Sequence, residues 1–311
     1  MKFTVEYPIS APGYDPSLAT GAGVTQVVRA IEECGFDAVA FTEHPAPSKK
    51  WLDAGGHDAF DLIGALSYCA AVTERLRLMT YLLVLPYRNP LLNAKSLATV
   101  DQLSGGRLTV VAGTGYLRSE FRSVGVDFDE RNELFDEALE VMRGVWSQHP
   151  FSYEGRHFQA HDTAPLPRPV QPGGPPVWIG GNSALSRRRA ARCQGWSPLM
   201  VTEELARTTR SPVIADIDRL ATLIAEVREH AAVEQGPEVG LDFQVQTPAS
   251  GLMATGGSEE EHREYLGRLR DAGVTSFVVR PPGDSIEAAV AALHTYADAF
   301  LAKNGHSPQV G

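Results

Sequence analysis

Short apolar runs alternate along this chain with longer segments whose apolar residues recur every three or four positions. The clearest unit is central. An apolar run, Leu76–Leu85, leads into a helical segment, Asn89–Leu103, then two glycines and a second apolar run, Leu108–Ala112. Runs of this kind predict strands buried on both faces, and the intervening 3.6-residue period predicts a covering helix. A strand–helix–strand unit with parallel strands crosses over right-handed, so both strands end on the same side of the sheet. Those two ends carry Thr80-Tyr81-Leu82 and Gly113-Thr114-Gly115-Tyr116, which makes that side the place to look for a ligand.

The same alternation continues in both directions. Strands are predicted at Lys2–Ile9, Phe36–Thr42, Pro176–Ile179, Trp196–Val201, Gly240–Thr247 and Thr275–Val279. Helices are predicted at Gly23–Cys34, Ala59–Thr73, Glu130–Trp146, Ala184–Cys193, Ile214–Ala232, a capped segment opening at Ser258, and a last one starting near Asp284. Eight strands alternating with eight helices predict an α/β fold: one (β/α)8 TIM barrel domain over residues 1–311, with insertion segments near 45–60, 147–175 and 202–256. An open dinucleotide-binding sheet is the alternative, but no GxGxxG follows the first strand. In a barrel the chemistry sits at the C-terminal strand ends. That rule singles out Glu6, Glu43-His44, Tyr81-Leu82, Gly113–Tyr116, Gly180–Ser183 and Arg280.

Composition narrows the partners. The 311 residues carry a formal net charge of −10, which argues against nucleic acid as the main partner. The three cysteines, Cys34, Cys69 and Cys193, form no CxxC pair, so neither a disulfide framework nor a structural zinc is expected. No apolar run is long enough to span a bilayer, and the N-terminus lacks a signal-peptide pattern. A cytoplasmic protein acting on a small molecule is expected.

Individual motifs are open to more than one reading. His44 is able to exchange protons near neutral pH, or simply to brace a loop. Gly180-Gly181-Asn182-Ser183 suits a phosphate at a helix start, and equally a tight turn capped by Ser183. Arg187, Arg188, Arg189 and Arg192 form either an anion-attracting face or a solvated one. His57-Asp58, His157, His161 and Asp162 match no compact metal-ligand spacing, so no metal is expected. There is no GxSxG nucleophile elbow. Trp51, Phe151, Tyr153 and Trp196 suit an aromatic pocket or ordinary core packing.

Taken in order, FDAVAFTEH (Phe36–His44), the segment Thr73–Leu108, GTGYLRSEF (Gly113–Phe121), Gly125–Trp146, FSYEGRHF (Phe151–Phe158) and PPVWIGGNS (Pro175–Ser183) resemble the luciferase-like flavin and deazaflavin oxidoreductases. TEHPAPS (Thr42–Ser48) and LPYRNPLL (Leu85–Leu92) are most similar to the branch that uses coenzyme F420, a deazaflavin. The resemblance implies a homodimer and a non-prolyl cis peptide at Tyr81–Leu82, a bulge behind the cofactor ring. It implies that His44, alone or with Glu43, stands beside the reactive ring edge, that Thr80, Tyr81 and Leu82 form the bulge, that Thr114 and Gly115 contact the ring or its side chain, and that Gly180, Gly181, Asn182 and Ser183 hold the phosphate. Some deazaflavin dehydrogenases carry a glutamate after the GTG segment; this chain has Tyr116 there, a hydrogen-bond donor toward substrate. The implied activity is hydride transfer between F420 and a small organic substrate. The alternatives are an FMN-dependent monooxygenase of the same fold, working with reduced flavin and oxygen, and a silent flavin-binding protein.

Overall fold

Inside the barrel strands, apart from a bulge at Leu82 in the third, residues alternate between two environments. On β1 (Lys2–Glu6), Phe3 and Val5 join the core between sheet and helices, while Thr4 and Glu6 point into the barrel. On β2 (Ala38–Phe41), Val39 and Phe41 face out and Ala38 and Ala40 face in. On β3 (Arg77–Val84), Leu78 faces out and Met79 and Tyr81 face in. The two-residue period of a strand produces this division, and burial on both sides explains why the strands read as continuous apolar runs.

The computed structural model describes residues 1–203, 206–207 and 211–301. Eight parallel strands close into a barrel in the order β1-β10-β9-β8-β7-β4-β3-β2. The remaining members are β4 (Leu108–Gly113), β7 (Val177–Gly180), β8 (Gly195–Ser197), β9 (Asp242–Val245) and β10 (Ser276–Val279). The expected (β/α)8 barrel is therefore observed, with most strands shorter than their apolar runs. The helices used below are α1 (Gly21–Glu33), α2 (Lys49–Asp53), α3 (Leu62–Val72), α4 (Pro90–Ser104), α5 (Arg118–Ser123), α6 (Arg131–Ser147), α7 (Ala184–Ala190), α8 (Ile217–Gln235), α9 (Leu252–Thr255), α10 (Glu259–Asp271) and α11 (Ile286–Phe300). Local chemistry starts and stops them. Asn89 accepts from Leu91 N–H ahead of Pro90 at the first turn of α4, and Gly105 ends that helix in the left-handed region at φ 65°.

Two departures from the sequence reading concern the insertions. Residues 147–175 hold an antiparallel hairpin of β5 (Phe151–Glu154) and β6 (Gln159–Thr163), beside α6. The segment near 202–256 is not one insertion. It contains α8 and β9, which belong to the barrel and match the helix and strand predicted at Ile214–Ala232 and Gly240–Thr247. Residues 204–205, 208–210 and 302–311 of the expected domain lie outside the described residues.

The barrel interior is filled by side chains. Thr4 Oγ1 donates to Gln244 Oε1 at 2.8 Å, and Ser276 and Ser197 complete a hydrogen-bonded polar layer. Met79, Tyr81, Val111, Trp178 and Val278 fill the apolar interior. No helix among the described residues is long and apolar enough to cross a membrane.

Candidate active site at the barrel mouth

The peptide bond between Tyr81 and Leu82 is cis, at the position the resemblance implied. The register between β3 and β4 shifts there: Tyr81 pairs with Val111 and Leu83 with Ala112, so Leu82 has no partner in the ladder. Its half-buried side chain packs against two glycines. A Cβ on Gly113 would lie 2.6 Å from Leu82 Cδ1, and one on Gly180 would lie 2.5 Å from Leu82 Cδ2. These glycines therefore make room for Leu82, which forms an apolar shelf at the mouth. Thr80 sits differently from the bulge residues. It is buried within the sheet, and its Oγ1 donates to the Val111 carbonyl at 2.8 Å.

Adjacent residues after β2 have opposite surroundings. Glu43 is buried, accepts from Val84 N–H at 2.6 Å and forms an ion pair with Arg88. Burial raises its carboxyl above the ordinary value, against the Arg88 charge and the Val84 hydrogen bond. Both oxygens are engaged in tying the β2 loop to β3. His44 instead turns to α5, where Nδ1 lies 3.2 Å from Glu120 Oε2. Glu120 is buried and also accepts from Tyr87 O–H at 3.1 Å and Ala46 N–H at 3.3 Å. An ionised carboxylate only accepts, so the His44 proton sits on Nδ1 and Nε2 faces away from Glu120. Trp51 packs 4.4 Å from the His44 ring, His57 at 4.9 Å and Tyr116 at 6.2 Å, all as centroid separations. Burial and the nearby Glu120 charge push the Tyr116 phenol up to about 12, against a hydrogen bond with Trp51.

The opposite side of the mouth is polar. Tyr81 Oη donates to Gln246 Oε1 at 3.0 Å. Glu6 is buried at the end of β1, 3.4 Å from Arg280 Nε, and its Oε2 has no hydrogen-bond partner among the described residues. Such an orphaned oxygen beside an apolar shelf is a polar group left facing the mouth.

The Gly180–Ser183 turn is well ordered by its own side chains. Asn182 Nδ2 donates to the carbonyls of Leu199 and Pro212, and its Oδ1 accepts from Leu199 N–H. Ser183 caps α7 through Ser186 N–H at 3.0 Å. Gly181 takes a φ of 95°, which favours glycine. Of the arginines that follow, Arg187 pairs with Glu226, Arg189 with Asp136 and Arg192 with Glu234; Arg192 is exposed, whereas Arg189 is buried and Arg187 largely so, which makes those two structural ties rather than a solvated face. Thr114 and Gly115 follow β4 at the rim, where Gly115 has a φ of 74° beside Val84 and Phe121.

Three contributors escape a reading of the sequence alone. Glu120 lies inside the GTGYLRSEF segment, but nothing local to it signals a pairing with His44, 76 residues away. Tyr87 follows β3 in an apolar context. His57 lies in a loop, where the sequence set it beside residues of metal-binding type. The structure puts it against His44. His157 lies elsewhere, 3.8 Å from Glu133 and 4.0 Å from Glu130 on α6. No group of three His, Cys, Asp or Glu side chains suited to a metal occurs among the described residues.

A closed parallel barrel with a histidine–carboxylate pair at its C-terminal rim defines a barrel-mouth enzyme architecture. Residues 1–300 match the luciferase-like monooxygenase model, and the chain belongs to that family of oxidoreductases. It is 36% identical over 129 residues to an FMNH2-dependent dimethylsulfone monooxygenase of Pseudomonas putida, covering 40% of this chain and 35% of that enzyme. It is 33% identical over 179 residues to an F420-dependent glucose-6-phosphate dehydrogenase of Intrasporangium calvum, covering 54% of this chain and 50% of that enzyme. The match thus spans about a third of the first enzyme's length and half of the second's. Among solved structures, monooxygenase RslO1 from Streptomyces bottropensis superposes with a TM-score of 0.79 at 21% identity, over 97% of this chain and 99% of that one. An F420-dependent secondary alcohol dehydrogenase superposes with a TM-score of 0.74 at 18% identity, over 96% and 98%. These two likenesses concern the fold.

Proposed function

We propose that this protein is an F420-dependent oxidoreductase that transfers a hydride between the deazaflavin and a small organic substrate. The observation that carries this reading is the His44–Glu120 pair at the barrel mouth, on the same rim as the Tyr81–Leu82 bulge. The residues fit a flat tricyclic cofactor. Leu82 offers an apolar shelf, Gly113 and Gly180 leave no side chain of their own beside it, and Glu6, Gln246 and Arg280 supply polar groups across the mouth. When bound, F420 supplies carbon C5 as the hydride donor or acceptor.

The chain's own residues then have distinct tasks. Glu120 orients His44 through Nδ1, so Nε2 is the atom that hands a proton to substrate or takes one. Tyr87 and Ala46 N–H hold Glu120 in place. Tyr116, kept protonated by burial and by Glu120, donates a hydrogen bond to substrate oxygen. Glu43 anchors the loop that carries His44. The Gly180–Ser183 turn after β7, with Thr114 and Gly115 after the neighbouring β4, is assigned to the cofactor's phosphate and side chain by the resemblance. A homodimer located in the cytoplasm completes the reading; sedimentation at a mass twice that of one chain is the expected result for the assembly.

A second reading, an FMNH2-dependent monooxygenase, is supported by the 36% identity to the dimethylsulfone enzyme. Binding titrations with F420 and FMN, each followed by fluorescence, separate the two. Tight FMN binding with no detectable F420 binding would reject the first reading. Binding of F420 without turnover of any substrate in a broad panel favours a silent binder.

A further inference from the structure

Thr4 and Glu6 follow one another along the inward face of β1, and their surroundings differ. Thr4 joins the polar layer made with Gln244 and Ser276. Glu6, two residues nearer the mouth, has no such layer. Its side chain is 6% exposed, yet Oε2 accepts no hydrogen bond among the described residues. Burial, and then the Glu6 charge, keep the Tyr81 phenol protonated, but its O–H donates to Gln246 at 3.0 Å. Arg280, just past β10, brings Nε to 3.4 Å from Oε2. That contact balances charge without closing a hydrogen bond, and the guanidinium donates no hydrogen bond among the described residues. Leaving a buried acceptor unmet is costly, so the pair marks a place that a ligand's donor completes.

The ring of strands says which ligand. β1 and β10 are neighbours, and they lie diametrically opposite β7 and β4. Gly113 ends β4 and Gly180 ends β7, so the Leu82 shelf stands on one arc and the Glu6–Arg280 pair on the other. A flat cofactor on the shelf leaves the pair facing the substrate. The pair carries no net charge. A carboxylate or phosphate drawn to Arg280 meets the Glu6 charge beside it, and an ammonium drawn to Glu6 meets Arg280. A neutral group that donates and accepts from one edge suits both partners. A lactam and a primary carboxamide each present N–H and C=O side by side on one edge. An open-chain secondary amide points them to opposite sides.

We infer that Glu6 and Arg280 are the specificity-determining pair of this site, and that the substrate carries a lactam or primary carboxamide whose N–H donates to Glu6 Oε2 while its C=O accepts from the Arg280 guanidinium. The inference rests on the hydride-transfer reading and adds the substrate class to it. The pair holds the end of the molecule that does not react. His44 and Tyr116, on the loops after β2 and β4, stay available to the reacting end.

Binding of small probes to the full-length protein, saturated with oxidised F420 and followed by protein NMR, tests this. 2-Piperidone is expected to bind at least about tenfold more tightly than N-methyl-2-piperidone, which has no N–H, and than cyclohexylammonium or cyclohexanecarboxylate. Glu6→Leu fills the same space without an acceptor. It is expected to erase the preference for 2-piperidone and to improve binding of cyclohexanecarboxylate, with F420 affinity unchanged. Arg280→Met, at a half-buried position, is expected to erase the same preference and to improve binding of cyclohexylammonium; it carries the test alone if Glu6→Leu does not fold. Equal binding of 2-piperidone and its N-methyl form, or variants that keep the parent's preference, overturns the inference. A loss of F420 affinity in Glu6→Leu as large as its loss of 2-piperidone affinity also overturns it, because the pair would then serve the cofactor. Absence of F420 binding to the parent overturns the hydride-transfer reading and this inference with it, whereas F420 binding with no lactam preference overturns this inference alone.

Discussion

Glu43 and His44 are neighbours with different work, and single substitutions should separate them. Glu43 is buried between the Val84 N–H and Arg88, whose side chain is 28% exposed. Glu43→Ala strands one side of a largely buried ion pair. The expected cost is roughly 2–3 kcal/mol, below the ~3–5 kcal/mol of a fully buried pair because water reaches Arg88, and a urea titration measures it. His44→Ala leaves buried Glu120 one partner short, so it too costs stability, about 1–3 kcal/mol, but unlike Glu43→Ala it lowers kcat by about 10²–10⁴-fold, the range for loss of a general acid–base group. If the two variants exchanged these effects, the division of roles would be wrong.

Two other histidines set the response of stability to acid. His57 and His262 both have pKa values pushed below the ordinary 6.5, in each case chiefly by burial. The unfolded chain therefore takes up protons first as pH falls below about 6.5, and stability declines through the window down to the folded values. His262 also pairs with Tyr296 Oη at 2.9 Å. In His262→Gln the urea midpoint should fall less steeply between pH 6.5 and 5 than in the parent. Equal slopes would remove His262 from the account.

At the scale of elements, glycines differ by what surrounds them. The atoms nearest a Cβ at Gly113 all belong to the Leu82 side chain, whose rotatable end gives more readily than backbone. A Cβ at Gly195 on β8 would lie 2.7 Å from the backbone oxygen of Asp242 and 2.7 Å from the Trp178 ring. Gly195→Ala is expected to cost about 2–3 kcal/mol, as overpacking against rigid neighbours does, and Gly113→Ala under about 1 kcal/mol. Gly113→Ala should instead weaken cofactor binding, because it displaces the Leu82 shelf. Thermal unfolding and cofactor titration on both variants read the two effects separately.

The elements were legible in the sequence because each reflects a local rule. Strand runs, helix periodicity, the Asn89–Pro90 start and the Gly105 stop are set within a few residues. The helix at Ile214–Ala232 and the strand at Gly240–Thr247 were legible inside the 202–256 segment for the same reason, so that segment is not insertion throughout. The arginines after Ser183 were legible as residues but not as a function, since their partners Glu226, Asp136 and Glu234 lie on other helices or far along the chain.

At the scale of the whole molecule, a ligand that binds only the folded barrel raises its stability by mass action. At a hundredfold excess over its dissociation constant the gain is about 2.7 kcal/mol. F420 at that excess is expected to raise the unfolding temperature by several degrees, with FMN giving little change. The reverse ranking would transfer the proposed activity to the monooxygenase reading.

By itself, the sequence determined the repeating architecture and placed His44, Tyr81-Leu82 and Gly113–Gly115 at strand ends. All of these follow from short-range periodicity or from position at a strand end. Only the tertiary structure decided which side chains meet there. His44 and Glu120 are 76 residues apart, Glu6 ends the first strand and Arg280 follows the last, and Tyr81 reaches Gln246 across the barrel. Closing eight strands into a ring sets those contacts, because a side chain's partner at the mouth depends on strand order and register, and no local pattern encodes either.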